Sequence, residues 1–196
     1  MSTPSTPKPF EPQGDPARHL EIAALVAGLR ALPAVGANHG RVALIVRRLA
    51  DGSRETPDSV RLCSEEGVPG DDWSRRPPRN PEAQLAVMRL GVAELIANGQ
   101  PLTLFGDNLI VDLDLSAMNL PTGTVLRVGA AVVEVTPKPH NGCHKFRGRF
   151  GDAALRFVQA PPTRRLNLRG IYWKVVDPGE VQVGDAIEVM RRPSAA

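Results

Sequence analysis

The residue types best able to do chemistry in this chain are gathered around Cys143. It lies in the segment 139–146, Pro-His-Asn-Gly-Cys-His-Lys-Phe, which places it between His140 and His144 and close to Lys145. Cationic neighbours favour the thiolate form of a cysteine. A thiolate can attack an electrophile, carry sulfur as a persulfide or bind a soft metal. We therefore predict that Cys143 is the functional centre of the protein.

Other uses of this segment remain open. A structural zinc site needs about four ligands, and only His140, Cys143 and His144 are available nearby. A cysteine hydrolase would need a histidine base that meets the thiol from elsewhere in the chain, which leaves His19 and His39. Both are weaker interpretations than a reactive or metal-binding thiol.

Positive charge is concentrated on the same part of the chain. Residues 138–169 contain eight basic residues and one acidic residue, Asp152, so this window carries +7 while the whole chain carries +3 and the remainder −4. Focused positive charge indicates an anionic ligand. Aromatic residues are only 4% of the chain, so stacking platforms for nucleic acid are scarce and a nucleic-acid partner is not expected. The basic residues are Lys138, Lys145, Arg147, Arg149, Arg156, Arg164, Arg165 and Arg169.

Composition indicates one globular domain. The chain has 196 residues, of which 42% are hydrophobic and 23% charged, with 18 glycines and 19 prolines that favour turns and short strands. No apolar run approaches the roughly 18 residues needed to span a bilayer, and no export signal is recognisable. We expect a cytoplasmic protein in which Cys143 and Cys63, the latter in an apolar setting, are free thiols.

Two helices are predicted towards the N-terminal half. Residues 1–16, rich in Pro, Ser and Thr, are expected to form a disordered tail, followed by an amphipathic helix over 17–33 and a domain over 41–190. A second helix is predicted from the cap at Asn80 to Asn98. Its apolar face would consist of Leu85, Met88, Val92, Leu95 and Ile96.

The remaining pattern is that of strands. Short runs rich in β-branched residues, separated by glycine, predict strands over 41–48, 106–112, 124–128, 131–136, 170–176 and 181–189, with 59–62 also extended. A helical turn or two is expected over 152–159. Trp73, in the loop 67–73, is interpreted as packed on the core in preference to lining a ligand site. The predicted fold class is mainly β (α+β), a β-barrel with peripheral helices.

Several of these segments together resemble the MOSC domain, the C-terminal module of molybdenum cofactor sulfurases. The likeness covers roughly residues 41–190, and the loop 67–73 is similar to a family loop with a Gly-Asp pair. The segments, in order, are 106–109 (GDNL), 120–129 (LPTGTVLRVG), 133–136 (VEVT), 139–146 (PHNGCHKF), 149–151 (RFG), 169–171 (RGI) and 180–185 (EVQVGD).

The resemblance implies a β-barrel with helices on its rim and one functional cysteine, which corresponds to Cys143. In the family this cysteine is thought to carry sulfur or to bind the molybdenum of a pterin cofactor, as in amidoxime-reducing relatives. Two roles follow for Cys143: metal ligand of a reductase supplied by an electron-transfer protein, or persulfide carrier supplied by a pyridoxal-phosphate cysteine desulfurase. The residues expected to hold the cofactor are His140, His144, Lys145, Arg147, Arg149, Arg164 and Arg165.

Overall fold

Seven strands close into a barrel in the computed structural model, which describes residues 11–75 and 77–194. Going round the barrel, the strand order is β1-β11-β7-β8-β9-β5-β6, and the four other strands form two small ribbons, β2–β3 and β4–β10. The strands are β1 (His39–Ile45), β2 (Arg47–Arg48), β3 (Arg54–Glu55), β4 (Ser59–Leu62), β5 (Leu85–Arg89), β6 (Leu109–Asp112), β7 (Val125–Val128), β8 (Ala131–Val135), β9 (Ile171–Asp177), β10 (Gly179–Gln182) and β11 (Ala186–Arg191).

Helices cover one side of this barrel. Helices α1, α3 and α4 pack on one another and on the strands β5 and β6, while α2 is a single turn in the loop before β5. The helices are α1 (Ile22–Ala31), α2 (Asp72–Arg75), α3 (Leu90–Ala97) and α4 (His144–Gln159), with 3-10 turns at Pro16–Arg18, Pro81–Ala83, Leu102–Leu104 and Pro161–Leu166. The predicted β-barrel with peripheral helices is thus confirmed.

The strand pair β5–β6 is parallel, whereas the other barrel pairs are antiparallel. Parallel neighbours need a crossover connection, and α3 supplies it. Alternate residues of this pair face opposite sides: Val87 and Leu109 lie in the barrel core, while Met88 and Ile110 lie in the core beneath the helices. The pair is therefore buried on both faces.

This double burial explains why the predicted helix over 80–98 is wrong in its first half. Asn80 does cap a turn, accepting from the backbone N–H of Glu82 at 2.9 Å, but that turn is a short 3-10 helix. Residues 85–89 then form β5, and only Leu90–Ala97 is helical. A strand buried on both faces is apolar at every position, so its apolar residues also match helical spacing.

The N-terminal elements also differ from expectation. The helix predicted over 17–33 begins only at Ile22, because Pro16–Arg18 forms a separate 3-10 turn. Within the predicted tail, residues 1–10 lie outside the described residues, while residues 11–16 contact the domain. The backbone carbonyl of Pro12 accepts from Arg149 Nε at 3.1 Å, and the backbone N–H of Asp15 donates to Gln100 Oε1 at 2.7 Å.

Two predicted elements near the C-terminus change length. The strand predicted over 181–189 is two strands, because Gly184, with φ +93°, allows a turn between β10 and β11. The helical turn predicted over 152–159 is the second half of α4, which begins immediately after Cys143. Across residues 11–75 and 77–194, no helix has both the length and the hydrophobicity that crossing a lipid bilayer requires.

Candidate functional site

A cavity of about 500 Å³ opens beside Cys143 and is called the Cys143 cavity below. Its walls come from β2, β3, α2, β5, α4 and β9 and the 3-10 turn at Pro81–Ala83, together with the loops at 78–80, 105–106, 140–143 and 169. Among the described residues, the lining contains six cations and one carboxylate, that of Asp72. The cations are Arg48, Arg54, Arg79, Lys145, Arg149 and Arg169.

Cys143 is exposed and occupies the position just before α4. Its backbone is extended, and its carbonyl accepts the backbone N–H of Arg147 at 3.0 Å, which begins the helix. The preceding Gly142 lies so close to α4 that an added Cβ would come within 2.6 Å of Leu155 Cδ1. Glycine at this position therefore lets the chain bring the thiol to the rim of the cavity.

Spacing on α4 decides which of its cations reach the cavity. Lys145 and Arg149 are four residues apart and share a helical face, and both line the cavity. Arg147, halfway between them, is exposed and belongs to the opposite side. Arg149 is buried, and its Nη1 donates to the backbone carbonyl of Leu104 at 3.0 Å. Burial lowers the pKa of Arg149.

Among the described cations of the cavity, Arg54 has surroundings that disfavour its positive charge most strongly. Burial, followed by repulsion from Arg149 and Arg48, lowers the pKa of Arg54 to about 10. Its guanidinium donates to the backbone carbonyl of Thr103, and within the described residues it forms no ion pair with a carboxylate. Crowded positive charge of this kind is relieved by an anion.

Asp71 holds Arg48 at the cavity wall. The fully buried carboxylate accepts from Arg48 Nε at 3.0 Å and from the Arg48 backbone N–H at 2.8 Å. Burial opposes the charge on Arg48, but the hydrogen bond and charge of Asp71 outweigh it and raise the pKa of the guanidinium.

The neighbouring Trp73 is half-buried and lines the cavity, with the guanidinium of Arg79 5.8 Å from the centre of its ring. The prediction that Trp73 packs on the core in preference to lining a ligand site is therefore wrong.

A buried polar cluster forms the innermost wall. Arg169 Nη1 donates to both carboxylate oxygens of Asp107, at 2.9 and 2.8 Å, and Asp107 is fully buried. The ring of His140 lies 4.3 Å from that of Tyr172, and its Nδ1 lies 3.5 Å from Asp107 Oδ1.

Burial keeps two members of this cluster neutral. Burial first, and then the charges of Arg169 and Arg48, hold the pKa of His140 well below 6.5. Burial also raises the pKa of Tyr172, so its phenol keeps its proton. Two buried nitrogens of the cluster, His140 Nδ1 and Arg169 Nε, have no hydrogen-bond partner among the described residues.

The structure brings part of the predicted site together. His140, Lys145 and Arg149 line the cavity beside Cys143. Arg164 instead lines a neighbouring cavity, of about 510 Å³. The other three predicted cofactor ligands, His144, Arg147 and Arg165, are exposed and line neither cavity.

Several cavity residues were not predicted. Arg48 and Arg54 pair across the β2–β3 ribbon, far in sequence from Cys143, and no local pattern marks them. Asp107 belongs to the family-like segment 106–109, but the sequence predicted no role for it. Arg169 was named only as one of the eight basic residues of the segment 138–169.

Both cysteines are free, as predicted. Among residues 11–75 and 77–194, no three His, Cys, Asp or Glu side chains are arranged to hold a metal ion.

Comparison with known proteins gives a family and a set of similar folds. The family model described as the MOSC domain matches residues 71–188. YuaD from Bacillus subtilis superposes with a TM-score of 0.57 at 18% identity, covering 77% of this chain and 95% of that one. YiiM from Escherichia coli gives 0.54 at 23% identity, covering 80% and 72%.

A further crystal structure, described as that of a hypothetical protein, gives a TM-score of 0.60 at 20% identity and covers 87% of this chain and 74% of that one. At such identities the likeness is one of fold alone. No curated protein sequence matches the chain significantly.

Proposed function

Because the chain belongs to the MOSC domain family, we propose that the Cys143 cavity binds a molybdenum-pterin cofactor and that the loaded protein reduces N-hydroxylated substrates. One observation carries this proposal: the cavity joins a single exposed thiol to six cations and one carboxylate. A phosphate-bearing ligand requires such cations, and a soft metal prefers a thiolate. Electrons would come from an electron-transfer protein.

The residues present fit such a cofactor. Cys143 would bind the molybdenum, while Lys145, Arg149 and Arg54 would hold the phosphate. The lowered pKa of Arg54, about 10, reflects burial and crowded positive charge that an anion would relieve. The bound group would supply two-electron redox chemistry at the cavity.

Neutral groups in the cavity wall would serve the substrate. Reduction of an N-hydroxyl to an amine consumes two electrons and two protons and releases water. Tyr172 keeps its phenolic proton because burial raises its pKa, so it can donate a hydrogen bond to a leaving oxygen. His140 is neutral for the corresponding reason and can donate from one ring nitrogen and accept at the other.

Metal and pterin analysis tests the proposal directly. The protein is purified from cells that make the cofactor, together with Cys143→Ala and, as a matched control, Cys63→Ala. Molybdenum and pterin should co-purify with the unaltered chain and with Cys63→Ala, and the metal should be lost from Cys143→Ala. Absence of both molybdenum and pterin from all three samples contradicts the proposal.

A second function, that of a sulfur carrier, is favoured by the exposure of Cys143 at the cavity rim. A carrier thiol must reach the active site of a partner, here a pyridoxal-phosphate cysteine desulfurase. The Cys143 thiolate would attack the outer sulfur of the desulfurase persulfide. A sulfur–sulfur bond would form at Cys143 while the one in the donor breaks, and the donor cysteine would leave as a thiolate, with no net oxidation.

Mass spectrometry distinguishes this alternative. After incubation with a cysteine desulfurase and cysteine, a carrier gains one sulfur atom on Cys143, and Cys63→Ala gains the same. Cys143→Ala should gain none. An unmodified Cys143 in the metal-free protein rules out the carrier role and leaves the molybdenum proposal unaffected.

A further inference from the structure

A second cavity, of about 510 Å³, lies against the loop that leads to Cys143. We call it the Arg164 cavity. It shares His140 and Arg169 with the Cys143 cavity, so these two side chains belong to the walls of both. The rest of its lining combines apolar side chains with carboxamides and one guanidinium, namely Pro139, Val158, Leu168, Asn141, Gln159, Asn167 and Arg164.

The charge of this lining is small and positive. Arg169 is neutralised by Asp107 at 2.8 Å, and burial keeps His140 neutral. Arg164 is exposed, and within the described part of the chain its guanidinium has no hydrogen-bond or ion-pair partner. No carboxylate of residues 11–75 and 77–194 lines the cavity. Among the described residues, one uncompensated positive charge therefore faces this cavity.

Unsatisfied polar atoms lie in the shared wall. The side chain of His140 is only 6% exposed and that of Arg169 only 10%. His140 Nδ1 and Arg169 Nε have no hydrogen-bond partner among the described residues. Both nitrogens are shielded from solvent, so they lie beneath the cavity surface, and the exposed charged group that an anion in this cavity can contact is the guanidinium of Arg164.

We propose that the Arg164 cavity binds a small organic monocarboxylate, with its carboxylate on Arg164 and its apolar part on Val158 and Leu168. The planar guanidinium matches a planar carboxylate with two parallel hydrogen bonds. A single uncompensated charge matches a monoanion, whereas a doubly charged phosphate is better served by the Cys143 cavity. The inference does not depend on a bound cofactor.

The position of this site gives the ligand a contact with the reactive segment. Gln159, part of the lining, donates from Nε2 to the backbone carbonyl of Gly142 at 3.0 Å. Gly142 immediately precedes Cys143. A carboxylate in the Arg164 cavity would therefore lie beside the chain segment that carries the thiol.

Benzoate titration of the full chain, followed by amide signals in nuclear magnetic resonance, tests the proposal. Saturable shifts are expected at residues 141, 159 and 164–168. Benzamide, which has nearly the same shape without the charge, should bind at least about tenfold more weakly. Arg164→Gln should weaken benzoate binding by a similar factor. Arg165→Gln is the matched control, because Arg165 is the adjacent, exposed arginine outside the lining, and it should leave binding unchanged.

Three results would overturn the proposal. Equal losses in Arg164→Gln and Arg165→Gln would show unspecific attraction to a basic surface. Loss in Arg149→Gln with retention in Arg164→Gln would place benzoate in the Cys143 cavity. Absence of saturable shifts, or tighter binding of inorganic phosphate than of benzoate at residues 164–168, would exclude a carboxylate site. Because the protein is used without cofactor, none of these results bears on molybdenum binding.

Discussion

Arg54, His140 and Tyr172 line one cavity, and burial shifts the pKa of each towards its neutral form. The pKa of Arg54 falls to about 10, that of His140 falls well below 6.5, and that of Tyr172 rises. Arg54 stays charged at neutral pH, whereas His140 and Tyr172 stay uncharged. The cavity thus combines positive charge with neutral hydrogen-bonding groups.

The neutrality of His140 predicts a pH dependence of stability. In the unfolded chain this imidazole takes up a proton below about pH 6.5, but in the folded state burial and the nearby Arg169 and Arg48 prevent it, with Asp107 and Tyr172 the other groups in contact. The unfolded state then binds more protons, so stability falls as pH decreases. This group should cost about 1 kcal/mol in free energy of unfolding between pH 6.5 and 5.5.

Urea unfolding at several pH values measures this effect. His140→Gln should make the free energy of unfolding less dependent on pH between pH 7 and 5.5. The control is His144→Gln, which alters an exposed histidine and should leave the pH dependence of the unaltered chain unchanged. Equal slopes in the His140→Gln and unaltered proteins would show that His140 takes up its proton freely in the folded state.

The ion pair between Asp107 and Arg169 supports a second prediction at this scale. Asp107→Asn leaves a buried guanidinium without its counter-charge, and the free energy of unfolding should fall by about 3 kcal/mol or more. The control is Glu134→Gln, which removes a surface partner of Lys174 at 2.9 Å and should cost less than about 1 kcal/mol. Chemical denaturation checks both values, and similar losses in the two variants would contradict this view of the buried pair.

Helix α4 is the element that joins the thiol, two cavity cations and the N-terminal segment. Gly151, with φ +90°, kinks it, and an added Cβ there would come within 3.0 Å of the His19 ring. His19 in turn contacts the backbone carbonyl of Arg149 at 3.1 Å. The kink therefore lets the N-terminal segment lie against the helix just where Arg149 enters the cavity.

Two glycines of α4 provide a matched test of this role. Gly151→Ala must adopt a left-handed backbone and displace His19, so it should destabilise the protein by about 1–3 kcal/mol. Gly148→Ala is the control. An added Cβ there meets nothing within 4 Å, and alanine favours a helix over glycine, so this change should be neutral or stabilise by up to about 1 kcal/mol. Thermal unfolding compares the two, and a stabilising Gly151→Ala would exclude the proposed constraint.

At the scale of the whole molecule, the chain carries a modest net charge of +3 but concentrates six cations in one cavity. Like charges drawn from β2, β3 and α4 repel one another in the absence of a ligand. Anions that bind the folded state alone stabilise it by mass action. The whole fold is thus coupled to occupancy of the Cys143 cavity.

Thermal unfolding in inorganic pyrophosphate measures this coupling. At matched ionic strength the melting temperature should be higher in pyrophosphate than in sodium chloride, with a gain of about 2.7 kcal/mol at one hundred times the dissociation constant. Arg149→Gln should reduce the gain, and Arg147→Gln, which alters an exposed cation of the same helix, should preserve it. A gain of equal size in both variants would indicate that pyrophosphate binds elsewhere.

The sequence alone was sufficient for the family and the barrel. Strands such as β7 and β8 have one face in the core, so their alternating burial appears directly as a local pattern. The strand β5 shows no such alternation, because both its faces are buried. Its apolar residues therefore match the spacing of a helix as well as that of a strand. Cys143 could be predicted as the functional centre because its histidine and lysine neighbours adjoin it along the chain.

Only the tertiary structure decided which charges surround that thiol. Arg169 lies 62 residues from Asp107, and Arg54 lies 49 residues from the carbonyl it contacts. Within α4, helical geometry selects Lys145 and Arg149 and rejects Arg147, although all three counted equally as positive charges in the sequence. Charge and residue type are local properties and can be predicted from the chain, whereas burial and pairing depend on contacts between distant segments, which folding alone creates.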